Sequence, residues 1–502
     1  MNKKFYITTA IDYVNGLPHV GHALEKVQAD VLARYHRLLG EEVFYLTGVD
    51  ENSLKNVQAA EKEGISVKEL VDKNTEVFYN LKDLLNLSFD KFVRTTEDYH
   101  FKGAQKLWQA VKKSDIYKKK YAGLYCVGCE LFLTEKELEN GLCPEHQTKP
   151  ELVEEENYFF KLSDYQEKLY QLIESDKLKV SPERYKKEIL GFIKQGLEDF
   201  SISRSKERAK GWGVPVPGDP EQVMYVWFDA LANYITALDY AEEGKLYQDF
   251  WVDNNNILHV IGKGILRFHA VYWPAMLLSA GLKLPKEIFV HSYFTVNNQK
   301  ISKSLGNVIG PEELVKKYGV SATRYLLLSF LPQSDDGDIS WEKLDEKYNA
   351  ELANGLGNLT ARVLAMVDKK LKGEAPAITK DWPEVKALSD KYIFLLGNKA
   401  FEPALRVIAE IIALLDGEIE KNKLYKQEPE QAAGLLYQLL ESIRQLAWLL
   451  LSVMPETANK IFSQLGLDPV EEKRQSFKEA LKWGGLPAGT KVQKGEPLFP
   501  RL

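Results

Sequence analysis

Two imidazoles three residues apart, in Pro18-His19-Val20-Gly21-His22, and two ammonium groups in Lys300-Ile301-Ser302-Lys303-Ser304 are the side chains whose types and spacing best fit a chemistry. The first motif follows a strand-like run and opens a helix, and a helix N-terminus carries unpaired N–H groups and positive dipole that attract anions. Both histidines can donate hydrogen bonds to phosphate oxygens. Gly21 would let a nucleotide approach the backbone with no Cβ in the way. Taken alone, the histidine motif is more often incidental polar surface. The lysine loop, closed by Leu305-Gly306-Asn307, reads by itself as a solvated charged turn. Paired in one βα domain, however, the lysines bring point charges to the β- and γ-phosphates from the opposite side, and together the motifs point to adenylyl transfer.

A second constellation is Cys126-Val-Gly-Cys129 and Cys143-Pro-Glu-His146, two short turns with 13 residues between them. Three thiolates and one imidazole saturate a tetrahedral zinc ion and leave no open position, so the expected metal is structural, one Zn²⁺ per chain. A redox pair, or buried thiols with His146 turned away, are the other readings of the same residues. All three cysteines of the chain lie in this stretch, which points to a reducing, cytoplasmic compartment and away from disulfides.

The elements that must position these groups follow from the pattern. Residues 5–11 read as a strand, 22–39 as an amphipathic helix and 43–46 as a second strand, with helical periodicity over 54–64 and 67–85. That order predicts a parallel sheet with helices on its faces. A Tyr-, Lys- and Gly-rich stretch then carries the cysteines, and Gly211-Trp-Gly-Val-Pro-Val-Pro217 punctuates its end. Residues 223–227 and 257–261 read as buried strands, 268–280 as a helix, and 346–462 as a helix bundle. The expected organisation is a first catalytic half over 1–114, an insertion over 115–225, a second catalytic half over 226–290, a linker with the lysine loop over 291–345, and a helical domain over 346–502.

The chain has 502 residues, 27% of them charged and 45% hydrophobic, with a formal net charge of −6, which excludes a disordered or collagen-like protein. No run approaches the about 18–20 apolar residues of a membrane span. The mildly acidic total gives no general attraction for nucleic acid, so an RNA partner must meet local basic patches.

His19-Val-Gly-His22 and Lys300-Ile-Ser-Lys-Ser304 resemble, in the same order and with a long insertion between them, the two signature motifs of class I aminoacyl-tRNA synthetases. Tyr13-Val14-Asn15-Gly16, Trp212-Gly-Val-Pro-Val-Pro217, Tyr225-Val-Trp-Phe-Asp-Ala230, Ile261-Gly-Lys263 and Phe268-His-Ala-Val-Tyr-Trp-Pro-Ala275 are similar to blocks of the methionyl-tRNA synthetase family. The resemblance implies a split Rossmann-like α/β catalytic domain with a zinc-bearing insertion, followed by an all-α anticodon-binding domain. It implies activation of L-methionine by ATP with Mg²⁺, then transfer to a methionine tRNA with a CAU anticodon. His19, Gly21, His22, Gly262, Lys300 and Lys303 are then expected at ATP, with Lys303 on the departing pyrophosphate. Glu25, one helical turn after His22, would meet the ribose or the tRNA end, or would be a solvated helix carboxylate. For the methionine pocket the resemblance implies Tyr13, Trp227, Tyr234, His269 and Trp273 as rings for the thioether, with Asp50 on the ammonium. Ala10, Ile11, Ala230 and Ile265 complete the expected walls. Asn358 and Arg362, four apart on one helix face, are the expected anticodon readers. Where the family usually has Pro-Trp this chain has Pro429-Glu430, and Tyr425 is the ring expected to stack instead.

Two further departures stand out. The family's Asp-Glu-His-Gly is Asp50-Glu51-Asn52-Ser53 here, and its Gly-Lys-Asp is Gly262-Lys263-Gly264, which removes a carboxylate expected near the ribose. The chain runs only a short way past the bundle, from which a monomer is expected. The rival readings are a class I synthetase for cysteine or a branched aliphatic amino acid, an inactive tRNA-binding paralogue, and a small nucleotidylyltransferase.

Overall fold

A computed structural model describes residues 3–128, 131–133, 135–144, 147–301, 307–332 and 335–502. Six parallel strands run through its centre, in chain order β1 (Lys4–Thr9), β2 (Glu42–Asp50), β3 (Lys91–Arg94), β4 (Lys179–Ser181), β5 (Ile257–Gly262) and β6 (Glu287–His291). In space they lie β3-β2-β1-β5-β6-β4, and Asp12–Tyr13 adds a short strand beside the end of β2. The order reverses between β1 and β5. In open parallel sheets the crevice outside the carboxyl ends at such a reversal is where ligands bind.

Side chains alternate across this sheet with a period of two, and both faces are covered, so its strands are apolar almost throughout. Phe5, Ile7, Leu258, Val260 and Phe289 belong to one core, which they share with helix α1 (Val20–Leu38) and the helical region. Tyr6, Ile257, Ile261, Ile288 and Val290 belong to a second core on the opposite face, shared with the cysteine-bearing segment.

Residues 223–227, expected as a buried strand, are strand only at Val223 and Met224 and are corrected beyond them: the strand Asp219–Met224 ends there in a small antiparallel sheet, and Val226–Leu231 is helical. Short apolar runs of either kind look alike in sequence, and here Tyr225 is the turning point. The stretch 268–280 is helical, opening with a π-helical turn over Phe268–Tyr272 before Trp273–Ser279. β4 pairs with β6 although it lies within 115–225. The rest of that segment centres on an antiparallel pair, Ile116–Cys126 with Glu151–Phe160, in register from Ile116↔Phe160 to Tyr125↔Glu151.

The C-terminal region is helical, and helices set in at Pro311–Tyr318 and α2 (Val320–Ser329), ahead of residue 346. Beyond α3 (Asn358–Leu371), the helices Pro383–Gly397, Pro429–Leu450 and Pro455–Gln464 each begin on a proline, whose fixed φ suits the first turn. Arg324 of α2 clips this region to the sheet. Fully buried, it donates to Asp30 of α1 at 2.7 Å, to the Leu85 and Asn86 carbonyls, and to the Ser452 and Val453 carbonyls. Among the described residues no helix is long and apolar enough to cross a membrane.

Candidate active site

α1 starts where it does because His19 caps it. His19 is extended (φ −123°, ψ 176°), and its Nδ1 accepts the Gly21 N–H at 3.0 Å. His22 returns the favour, its Nδ1 accepting the His19 N–H at 3.0 Å. The rings stack with centroids 3.9 Å apart. Acceptance at Nδ1 fixes the proton of each neutral ring on Nε2, so both present an N–H donor at the helix N-terminus. Gly21 has a local reason to be glycine, because a Cβ there would stand 2.9 Å from His19 Cε1.

The flanks of the lysine motif are brought to the same place. From His291, the last residue of β6, the chain enters a hairpin of Phe294–Val296 with Gln299–Lys300. Lys300 is exposed, and Ser302–Gly306, Lys303 among them, lie outside the described residues. Asn307 Nδ2 donates back to the Lys300 carbonyl at 3.1 Å. Two residues on, the Ile309 carbonyl accepts the Val20 N–H at 2.9 Å. The segment flanking the lysines is therefore bonded to the first residue of the histidine helix.

Behind the histidines lies a buried ionic group that sequence spacing did not reveal. Glu25 is 6% exposed, not solvated, and its carboxylate meets Lys26 Nζ at 3.4 Å and His291 Nε2 at 3.1 Å. Lys26 also pairs with Asp12, which stands 3.9 Å from His22 Nε2. Burial pushes the Asp12 carboxyl up to about 6 despite Lys26. Burial acts the same way on Glu25, but Lys26 and His291 outweigh it and hold that carboxyl below its usual value. The only signal in the sequence is a pair of charges, Glu25-Lys26, within the otherwise apolar stretch Ala23 to Val27 of α1.

On the other side of β1, the Asp12–Tyr13 strand sets Tyr13 opposite Asp50, with Lys55 over the Tyr13 ring. Asp50 is buried at the end of β2 and accepts the Asn52 N–H at 3.1 Å. Asn52 in turn donates to Asp229 at 2.8 Å, and His100 holds the other Asp229 oxygen at 2.7 Å. This ties the Asp50 loop to the helix Val226–Leu231 that carries Trp227 and Ala230. Ser53 caps the next helix, Leu54–Glu63, by accepting the Asn56 N–H. Both departures in Asp50-Glu51-Asn52-Ser53 thus have structural work.

Of the expected rings, His269, Trp273 and, through His269, Trp227 gather around Tyr234. Its hydroxyl donates to His269 Nε2 at 2.7 Å, while His269 Nδ1 faces the Ile265 carbonyl at 2.9 Å. Burial pulls the His269 pKa down to about 4, which keeps the ring neutral and the tautomer consistent with both bonds. Trp273, fully buried, backs Tyr234 at 6.0 Å, and Trp227 stacks on Phe268 at 3.7 Å. The Ala10 N–H donates to the Val260 carbonyl, which sets the end of β1 beside β5; Ile11 is half-buried against the same core. Tyr6, His259 and Trp251 join this cluster without having been anticipated.

At the end of β5, Lys263 pairs with Asp336 at 2.7 Å, and the Gly264 N–H donates to Tyr293 Oη at 2.8 Å. A Cβ on Gly264 would stand 2.3 Å from that oxygen, so the missing carboxylate goes with a tyrosine hydroxyl in its space. Cys126 and Cys143 are both 1% exposed and share one apolar cluster; Cys129 and His146 lie outside the described residues. In the helical region Asn358 is exposed at the start of α3, and Arg362 pairs with Asp416 and Glu420. Tyr425 is 46% exposed on the turn Leu424–Lys426.

Comparison with known proteins bears on the same elements. The family model for class I tRNA synthetases (M) matches residues 5–149 and 135–364. A methionine–tRNA ligase of Brucella suis biovar 1 is 42% identical over 520 residues, covering 99% of this chain and 98% of that one. Mycobacterium tuberculosis methionyl-tRNA synthetase in complex with methionyl-adenylate superposes with a TM-score of 0.92 at 38% identity, covering 99% of this chain and 100% of that one. The free-state form of the Mycobacterium tuberculosis enzyme gives 0.85 at 35% identity, covering 100% and 99%.

Proposed function

The chain belongs to the class I tRNA synthetases, among the methionine–tRNA ligases, and from that premise we propose which of its side chains carry the family's reaction. A carboxylate oxygen of methionine attacks the α-phosphorus of ATP and the bond to pyrophosphate breaks. The methionyl group then moves from the adenylate to a ribose hydroxyl at the tRNA end, with AMP leaving. Neither step needs a protein nucleophile, so the protein aligns the reactants and stabilises charge.

His19 and His22 donate from Nε2 to the ATP phosphates, while Gly262 borders the nucleotide. Lys303, with Lys300 in support, stabilises the departing pyrophosphate. Magnesium bound with ATP would share in neutralising the phosphates. Asp50 pairs with the methionine ammonium, and the Tyr234–His269 pair, with Tyr13 and Trp227, forms the thioether side of the pocket. The observation that most directly supports this reading is the 2.9 Å hydrogen bond from Val20 to Ile309, because it brings the flank of the lysine loop to the histidine pair. ATP–pyrophosphate exchange with methionine, isoleucine, valine, leucine and cysteine in parallel tests it. Preference for any of the last four overturns the methionine assignment.

The finer architecture belongs to the same proposal. The reversed strand order supports a Rossmann-like sheet split by an insertion, and two buried cysteines, Cys126 ending a strand and Cys143, fit a closed zinc site completed by Cys129 and His146. Metal analysis of reduced, chelator-free protein should find about one zinc per chain; none would overturn that site. Asn358 and Arg362 read a CAU anticodon, with Tyr425 as the stacking ring, in a protein acting as a cytoplasmic monomer. Charging of a CAU-anticodon tRNA, lost on Arg362→Ala with exchange intact, tests the anticodon assignment.

A further inference from the structure

The ring of His291 has both nitrogens committed. Nδ1 lies 2.9 Å from the Ser292 carbonyl and Nε2 lies 3.1 Å from a Glu25 carboxylate oxygen. A carbonyl and a carboxylate only accept, so both contacts are hydrogen bonds at once only in an imidazolium, which donates twice. It balances a set of charges taken out of water: Asp12 and Glu25 against Lys26 and His291. Burial of unbalanced charge is costly, so the set is held together as a unit. The Tyr45 hydroxyl, donating to the Lys26 carbonyl, closes it on the β2 side.

The position of this contact gives it a use. β5 lies between β1 and β6, so a bond from α1 to the end of β6 reaches across the carboxyl end of β5, over the crevice where the strand order reverses. Gly262 lies beneath it; a Cβ there would stand 3.5 Å from the His291 ring and 3.0 Å from that of Tyr293. Beyond His291 the chain makes the excursion that carries Lys300 and Lys303, then returns to bond Val20 through Ile309. α1 therefore fastens this excursion at both ends, through Glu25 at the entrance and Val20 at the exit.

We propose that the Glu25–His291 ion pair, backed by Lys26 and Asp12, is a clasp that fixes the entrance of the lysine excursion against the histidine helix, making Glu25 and His291 positioning residues for adenylate formation. The proposal rests on the phosphate roles given above to the histidines and lysines. With the Glu25 bond gone, the entrance still keeps the pairing of Phe294–Val296 with Gly337–Ile339, so it shifts instead of coming free, and a displacement of about 1 Å at reacting groups is enough to cost about 100-fold. The methionine side is spared, because its residues hang from other elements: Asp50 from β2, Trp227 from the helix Val226–Leu231, Tyr234 from Asn233–Thr236 and His269 from Phe268–Tyr272.

The full-length chain is compared with His291→Ala, which cuts the clasp, and His291→Gln, whose amide still donates to Glu25. Methionine-dependent exchange in His291→Ala should fall about 10- to 100-fold in kcat, with KM for methionine within about twofold. Transfer to tRNA from preformed methionyl-adenylate should stay within about threefold, since pyrophosphate has already left. His291→Gln should recover exchange to within about fivefold of wild type. In ¹⁵N-histidine spectra of wild type, one ring should show both nitrogens protonated, and that signal should vanish in His291→Gln. Unchanged exchange in His291→Ala, an equal loss in every step, a His291→Gln as poor as His291→Ala, or a neutral ring at His291 would each overturn the clasp. Wild type without methionine-dependent exchange would instead sink the functional reading beneath it.

Discussion

Replacing His22 by asparagine separates two jobs that one imidazole holds. Its Nδ1 accepts the His19 N–H at 3.0 Å and so completes the cap of α1, while its Nε2 carries the donor assigned to phosphate. An asparagine amide oxygen can still take the His19 N–H but leaves no donor at the place of Nε2. The cap survives in His22→Asn, and His19 stays oriented through its own bond from Gly21. Loss of one preorganised donor to a charge that grows in the transition state is worth about 2–4 kcal/mol, or roughly 30- to 1000-fold in rate. His22→Ala loses the cap as well, a further cost of about 0.5–2 kcal/mol that falls on stability and not on chemistry. The assay is methionine-dependent ATP–pyrophosphate exchange at saturating substrates, read beside thermal unfolding of the same preparations. Both variants should lose exchange alike, with only His22→Ala unfolding measurably earlier. Exchange in His22→Asn within about threefold of wild type would show that Nε2 does not meet the reacting phosphates. Equal stability of the two variants would show that the Nδ1 bond is no cap.

Three further outcomes are expected. Lys303→Ala should lose about 2–4 kcal/mol of stabilisation of the adenylate-forming transition state with methionine affinity unchanged, and an exchange rate equal to wild type would refute its role. Arg324→Met removes a fully buried ion pair with Asp30, but Asp30 keeps Arg34 and Ser88, so the loss should sit near the lower end of the about 3–5 kcal/mol for breaking such pairs. Burial raises the Asp30 pKa, yet Arg324, Arg34 and Ser88 outweigh burial and hold it below its usual value. The wild-type advantage in thermal unfolding should therefore be full above the unfolded carboxyl value of about 4 and shrink as pH falls through the lower folded value. Gly264→Asp, which drives a Cβ into the Tyr293 hydroxyl, should raise KM for ATP, and adding Tyr293→Phe should recover it; no effect of the first change would mean that the hydroxyl gives way freely.

What could be read along the chain was what lies close in sequence or recurs with a period. The histidine pair, the lysine loop and the cysteine turns are each confined to a few residues, and the parallel sheet follows from alternating strand and helix signals. Residues 223–227 mark the limit of such patterns, since five apolar residues carry no period that separates the strand ending at Met224 from the helix starting at Val226. Glu25 was placed correctly on a helix face. Its burial, however, depends on His291, 266 residues away.

The sequence by itself determined which chemistry was available, because the kinds of donor and their local spacing are covalent facts. Only the tertiary structure decided how that chemistry is held. The neutral His269, the charged set around Glu25 and the bond from Val20 to Ile309 all depend on groups brought together by the order of strands in the sheet, whereas the proton positions on His19 and His22 follow from the local cap of α1. Hydrogen bonding and desolvation act over a few ångströms of space, whatever the distance along the chain.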